Sequence, residues 1–317
     1  MPTSSRAVFT GIIDYAGLFP PAKLPMAEAF RRFVAHRAGD DGWLLARFVC
    51  PASRLDELTP MIDTAGVGEI PIRIAALGAG GDDPPGFAEA MERDIFAMGA
   101  FSDHHKDAAL IDVFEVKLPG HGEAASVVDF AHDEVAGRLN HPPMIFFEVS
   151  LLDGWKQRLH GAVDAISAAS HELDRNRSAG LKIRCGGLEA SAVPSVEAVA
   201  GAIIAARDSG LPLKATQGLH HPIRHRDDSL DTTVHGFLNL AAAAILAGSK
   251  GLDEPTVHEI LADEDPSSFS LTEAGIRWRD IETPIADASK GRTTAFTSFG
   301  SCSFSEPRDD LSNLGLL

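Results

Sequence analysis

A chain of 317 residues, 44% of them hydrophobic, is long enough for one large barrel around a single core. Its 28 Lys and Arg against 45 Asp and Glu leave a formal charge of −17, which repels phosphate backbones and anionic lipid heads, so neither nucleic acid nor a membrane surface is expected as a partner. Three widely spaced cysteines without a CxxC argue against a disulfide framework or a cysteine zinc site. The first residues lack a secretory pattern and no apolar run approaches the roughly 20 residues of a bilayer span, so a cytoplasmic enzyme is expected.

Along the chain, short β-branched or aromatic runs alternate with longer Ala- and Glu-rich amphipathic stretches, the pattern of a parallel sheet with crossover helices. It predicts a strand over 11–19, a helix over 26–38, and strands over 43–50, 70–77 and 111–118. A helix over 124–139, a strand over 144–151, a helix over 155–173, a strand over 181–185, a helix over 195–209 and a strand over 211–216 follow. The eighth unit is interrupted: a helix over 235–247, a short helix over 256–261, and a β-hairpin around Gly275 in SFSLTEAGIRWRD precede a closing strand over 295–299 and a last helix from residue 306. With no linker or internal repeat, the expectation is one (β/α)8 barrel domain over 1–317, with an insertion before its last strand.

In such a barrel the reacting groups stand at the C-terminal ends of the strands, on alternate, inward positions. FEVKLPG puts Glu115 and Lys117 on one face, FFEVSLLDG brings in Glu148, GLKIRCGG pairs Lys182 with Arg184, and PLKATQG pairs Lys214 with Thr216. Strands buried on both faces are normally apolar, and a buried charge costs several kcal/mol unless paired. An ion network that only plugs the barrel is one account of these charges; a catalytic mouth is the other, favoured because four consecutive strands agree.

The loop TQGLHHP follows the seventh predicted strand, with Gln217, a permissive Gly218, and His220 and His221, either of which can transfer protons. As neighbours on an extended backbone they point apart and are poorly placed to share one metal. Gly186-Gly187 and Gly300-Ser301 offer backbone N–H groups to an anion. Asp14, beside the only tyrosine, Tyr15, ends the first strand. His235 and Asn239 stand four apart at a helix start. His104-His105 falls before the fourth strand, on the opposite side of the barrel from the expected mouth.

A lysine buried among other cations has a lowered pKa and becomes a nucleophile. Lys182, with Lys214 and Arg184 near it, meets that description, and Glu115, Glu148, Lys117 and His220 supply acid–base groups. Arg184, Asp14, Thr216, Gln217, His221, Gly186, Gly187 and Ser301 are candidates for holding a small anionic carbonyl substrate. That set resembles the class I aldolases, barrel enzymes that form an imine through a lysine on strand six. Lys182 takes that place; Lys214 takes the place of the second lysine of the deoxyribose-phosphate branch; Asp14, Lys117, Glu148 and Lys182 follow the Asp, Lys, Glu, Lys order of the fructose-bisphosphate branch. Arg184 and the GLHHP loop belong to neither. The resemblance implies lyase chemistry through a Schiff base, without a cofactor, and leaves a homo-oligomer open.

Two other readings compete. Glu115, Glu148 and a histidine of the GLHHP loop suit one divalent cation such as Mg, Mn or Zn, in a metal-dependent lyase or isomerase. A barrel that only binds a small ligand is the third.

Overall fold

The computed structural model describes residues 3–64, 70–120, 123–172 and 179–317. After helix α1 (Thr3–Phe9) come β1 (Ile13–Tyr15), α2 (Met26–Ala38), β2 (Leu45–Pro51), α3 (Thr59–Thr64), β3 (Ile72–Leu77), α4 (Pro84–His105), β4 (Ala109–Lys117), α5 (Ala124–Arg138), β5 (Met144–Val149), α6 (Trp155–Glu172), β6 (Ala179–Arg184), α7 (Val196–Asp208) and β7 (Leu213–Thr216). A two-stranded ribbon, β8 (His225–Asp227) with β9 (Thr232–Val234), leads into α8 (Phe237–Lys250) and α9 (Glu254–Ala262). A three-stranded antiparallel sheet, β10 (Phe269–Leu271), β11 (Gly275–Trp278) and β12 (Ile281–Pro284), precedes α10 (Ile285–Thr294), β13 (Phe296–Ser301) and α11 (Ser305–Asn313).

Eight strands close in the order β1-β13-β7-β6-β5-β4-β3-β2, and every neighbouring pair is parallel. This is the expected (β/α)8 barrel, with its insertion before the last strand. The first strand is shorter than the predicted 11–19, because Gly11 takes a positive φ of 60° and the chain turns from Gly17 onward. The closing strand runs two residues beyond the predicted end. The last residue of the predicted helix 155–173, Leu173, lies outside the described residues.

Period-two alternation divides each barrel strand. Outward residues such as Phe48, Phe114, Phe147 and Phe299 pack under the helices, while Val49, Ala75, Val113 and Phe146 fill the interior. Burying each large apolar side chain contributes roughly 1.5–3 kcal/mol. Helix α8 is buried at every residue from Phe237 to Ala247, which is why it reads as apolar all round. The stretch Ala190–Asp208 is long and apolar enough, by length and composition, to cross a bilayer, against the expectation from the sequence; here it holds crossover helix α7, which buries Ala198, Val199, Ala202, Ile203 and Ala206. Ser195 caps that helix, accepting from Ala198 N at 3.1 Å.

Candidate active site

The inward charges join into one chain of alternating sign. Arg184 donates to Glu148 Oε1 at 2.9 Å; Glu148 Oε2 lies 2.9 Å from Lys182 Nζ; Lys182 Nζ lies 2.6 Å from Glu115 Oε2; and Glu115 Oε1 lies 2.7 Å from Lys214 Nζ. Lys214 also donates to Asp14, whose Oδ2 accepts from Ser298 Oγ at 2.5 Å and whose Oδ1 faces Arg47 at 3.5 Å. Arg47 continues to Asp112 at 2.7 Å, and Asp112 to Arg73, below the mouth. The ladders explain the convergence: Glu148, Lys182 and Lys214 are successive register partners across β5, β6 and β7, while Glu115 enters from β4.

Glu115, Glu148, Lys182, Lys214 and Asp14 are all buried. Unpaired, each charge would cost several kcal/mol, and the alternating pairing offsets that cost. Burial pushes the Glu115 carboxyl up, but Lys182 and Lys214 more than offset it and hold it at about 2. Asp14 and Glu148 are likewise held below the ordinary carboxylate range: burial opposes, Lys214 and Arg47 prevail at Asp14, Lys182 and Arg184 at Glu148. For Lys182 the outcome reverses the expectation of an amine held neutral by cations. Burial favours the neutral form, but Glu115 and Glu148 stand nearer than any cation and raise its pKa above that of an ordinary lysine.

Above these groups opens a cleft of about 1260 Å³ into which Lys182, Lys214, Glu115, Arg184, Thr216 and Gln217 face. Arg184 reaches into it with a side chain 46% exposed. Gly186 and Gly187 form part of its wall. Gln217 and Gly218 both take positive φ, 58° and 69°, and a Cβ on Gly218 would lie 2.9 Å from Gly186 Cα, so the two loops touch backbone to backbone.

Other expected members lie outside this ion chain. Lys117, two residues beyond Glu115, is at the flared end of β4, exposed, and in no ion pair among the described residues. Ser301 falls on the outward side of β13, its hydroxyl donating to Ser303 O at 2.7 Å, while Gly300 takes the position beside Thr216. His221 lines the cleft, pairs with Asp310 at 2.5 Å, and its ring meets that of His225 edge-on at 4.6 Å. His220 lines the cleft but turns Nδ1 to Glu306 at 2.8 Å. Glu115, Glu148 and a histidine of the GLHHP loop, grouped above as ligands of one cation, are not among the described residues that bring three ligand atoms within 4.8 Å of one another; here the carboxylates face lysines, and His220 and His221 face Glu306 and Asp310. His235 bonds Pro194 O at 2.9 Å and Asn239 donates to Ile260 O and Asp263 O, both away from the mouth. Among the described residues Asp63, His104 and His105 bring one ligand atom each within 4.8 Å, on α3 and α4 at the opposite end of the barrel.

Sequence reading passed over Ser298, Arg47, Cys302 and Glu306. Ser298 was within reach, because TSFGS alternates small polar residues in step with Gly300; Arg47 needs the bulge that shifts the β1–β2 register between Ile13 and Asp14.

No protein-family model matches the chain, and no curated protein sequence matches it. Among solved structures it is similar to the deoxyribose phosphate aldolase of Aeropyrum pernix, described as a unique tetramer, at TM-score 0.52 and 11% identity over 98% of this chain and 93% of that one. It is similar to the HMG-CoA lyase of Brucella melitensis at TM-score 0.36 and 12% identity over 80% and 74%. At such identities the likeness is one of fold, and the fold is the (β/α)8 barrel.

Proposed function

We propose that the protein is a lyase of the aldolase type, acting on a small anionic carbonyl compound through a Schiff base on Lys182. One observation carries this reading: two buried lysines at the strand ends, bridged by one carboxylate, open onto a cleft. A plug alone would need no cleft above it and no half-exposed arginine beside it.

Arg184 would take the substrate's anionic end, which frees Glu148 from its present partner. Glu148 or Glu115 then accepts a proton from Lys182, and the neutral amine adds to the carbonyl carbon. Water leaves carrying that proton and a second one from the amine nitrogen. The resulting cationic imine becomes an enamine as it takes the electron pair of the bond between the alpha and beta carbons, while the beta-hydroxyl gives its proton to a carboxylate and its carbon departs as the carbonyl of the second product. Lys214 keeps the cavity positive. The raised pKa of Lys182 sets a cost on the first step, so activity should climb toward alkaline pH. Assembly into an oligomer, as the Aeropyrum aldolase does, is part of the same proposal, as is independence of any metal or cofactor.

The test is borohydride reduction with candidate small aldehydes and keto acids, followed by peptide mapping. An adduct on Lys182 supports the reading, one on Lys214 exchanges the two lysines, and turnover that persists in Lys182→Ala without any lysine adduct ends it. Loss of turnover on chelation, restored by one divalent cation, would favour metal-assisted chemistry instead.

A further inference from the structure

The same cleft holds a second reactive set that the lysine chemistry leaves unused. Cys302 follows the end of β13, His220 lies in the loop after β7, and Glu306 stands in the first turn of α11; all three line the cleft. Cys302 Sγ is 3.8 Å from His220 Nε2, and His220 Nδ1 is 2.8 Å from Glu306 Oε2. A carboxylate that fixes one ring nitrogen so that the other faces a thiol is the arrangement that activates a nucleophile.

The other cysteines supply a contrast. Cys50 and Cys185 are fully buried, and burial pushes their thiols up, that of Cys50 to about 12. Cys302 is 9% exposed and lies at the cleft wall. Its loop is held in place: Ser301 Oγ donates to Ser303 O at 2.7 Å and Glu306 N to Ser303 Oγ at 3.3 Å. Contact with Cys302, and then with Glu306, raises His220 to about 9 against its burial, so the imidazole is poised to hold a proton. The titratable groups facing this set are the His221–Asp310 pair beside Glu306 and the Tyr15 phenol of β1.

We propose that Cys302, His220 and Glu306 form a second nucleophilic centre, in which the thiol captures the carbonyl carbon of an aldehyde held in the cleft. The proton of Sγ passes to His220 Nε2 and an Sγ–carbon bond forms. The carbonyl π pair moves onto oxygen, which takes the proton back from Nε2. The product is a neutral thiohemiacetal; nothing leaves, nothing is oxidised, and reversal releases the aldehyde. Glu306 is a positioning residue, acting through His220. That the captured group is an aldehyde rests on the carbonyl reading of the cleft given above; the activation of the thiol does not.

Alkylation by iodoacetamide at neutral pH, with peptide mapping, tests the activation. The expected result is modification of Cys302 alone, at a rate that falls at least about tenfold in His220→Gln and less in Glu306→Gln, whose side chain acts only through the imidazole. Modification of Cys50 or Cys185 instead, or a Cys302 rate that neither variant lowers, overturns the proposal. For capture, glycolaldehyde should slow alkylation of Cys302 where ethylene glycol does not, and should still do so in Lys182→Ala. Protection that vanishes with Lys182 means the aldehyde is held at the lysine only, and overturns thiol capture. Protection that persists while borohydride traps nothing on either lysine upholds the thiol centre and removes the lysine reading.

Discussion

Lys182 and Lys214 are register partners across β6 and β7, yet both ammonium groups reach to β4, where Glu115 meets Lys182 with Oε2 at 2.6 Å and Lys214 with Oε1 at 2.7 Å. One carboxylate thus stands between two buried cations and offers the direct path for a proton from one to the other. Removing its charge leaves the lysines to repel each other in a medium that screens poorly.

Glu115→Gln should therefore cost stability as well as chemistry. Breaking a buried ion pair by deleting one partner costs roughly 3–5 kcal/mol. Urea denaturation should show a lower midpoint at unchanged slope, and borohydride trapping on Lys182 should fall at least tenfold. A variant as stable as the parent would show that Glu115 is not the charge that keeps the lysines in place.

Arg184→Met separates binding from folding. The side chain is 46% exposed and meets one carboxylate, so its loss should move stability little, as for other surface ion pairs. If it holds the anionic end of the substrate, KM should rise tenfold or more while kcat changes less. Unchanged KM would take Arg184 out of substrate binding.

The barrel was legible because parallel strands and crossover helices have different periods, and Glu115, Glu148, Lys182 and Lys214 were legible because a charge inside a strand that should be apolar has few explanations. The sign of the Lys182 shift was not. Sequence gave Arg184 two residues along the same strand, but in three dimensions Arg184 turns to Glu148, and the two carboxylates from β4 and β5 take the space around Lys182. Lys117 misled for a related reason: alternation gives the side of a strand a residue is on, not whether the strand still encloses it. Helix α4 escaped because its start is masked by the turn-like Pro84-Pro85, which here occupy the first helical positions after the Asp83 cap.

Stability should fall with acid in two windows. His235 is buried and neutral: burial lowers its pKa to about 4, against a bond to Pro194 O that partly opposes the shift. Between pH 6.5 and 4 the unfolded chain takes up a proton that the folded chain refuses, so stability declines across that window by about 3 kcal/mol and levels below it. Burial also lowers His36 and His105, which act in the same direction. Asp14, Glu115 and Glu148 are depressed in the fold, so their contribution is present above about pH 4.5 and lost as pH falls toward 2. Urea midpoints taken across pH should flatten between 6.5 and 4 in His235→Gln, and an unaltered slope there would remove His235 as its main source.

Gly218→Ala tests how tightly the β6 and β7 loops are joined, and Gly210→Ala is its control. Both glycines have positive φ, 69° and 65°, so an alanine at either bears the left-handed penalty of roughly 1–2 kcal/mol. They differ in surroundings. A Cβ at Gly210 meets nothing within 4 Å, whereas at Gly218 it would lie 2.9 Å from Gly186 Cα and 3.0 Å from Cys185 O, backbone atoms with no rotamer by which to yield. The excess cost of Gly218→Ala over Gly210→Ala therefore reports the clash alone. It should reach at least about 1 kcal/mol, in the range of overpacked sites. The strain should also push apart the loop carrying His220 and the wall formed by Gly186, so alkylation of Cys302 should slow in Gly218→Ala and keep its rate in Gly210→Ala. Equal costs for the two variants would mean that the loops part easily, and that their contact does not set the position of His220.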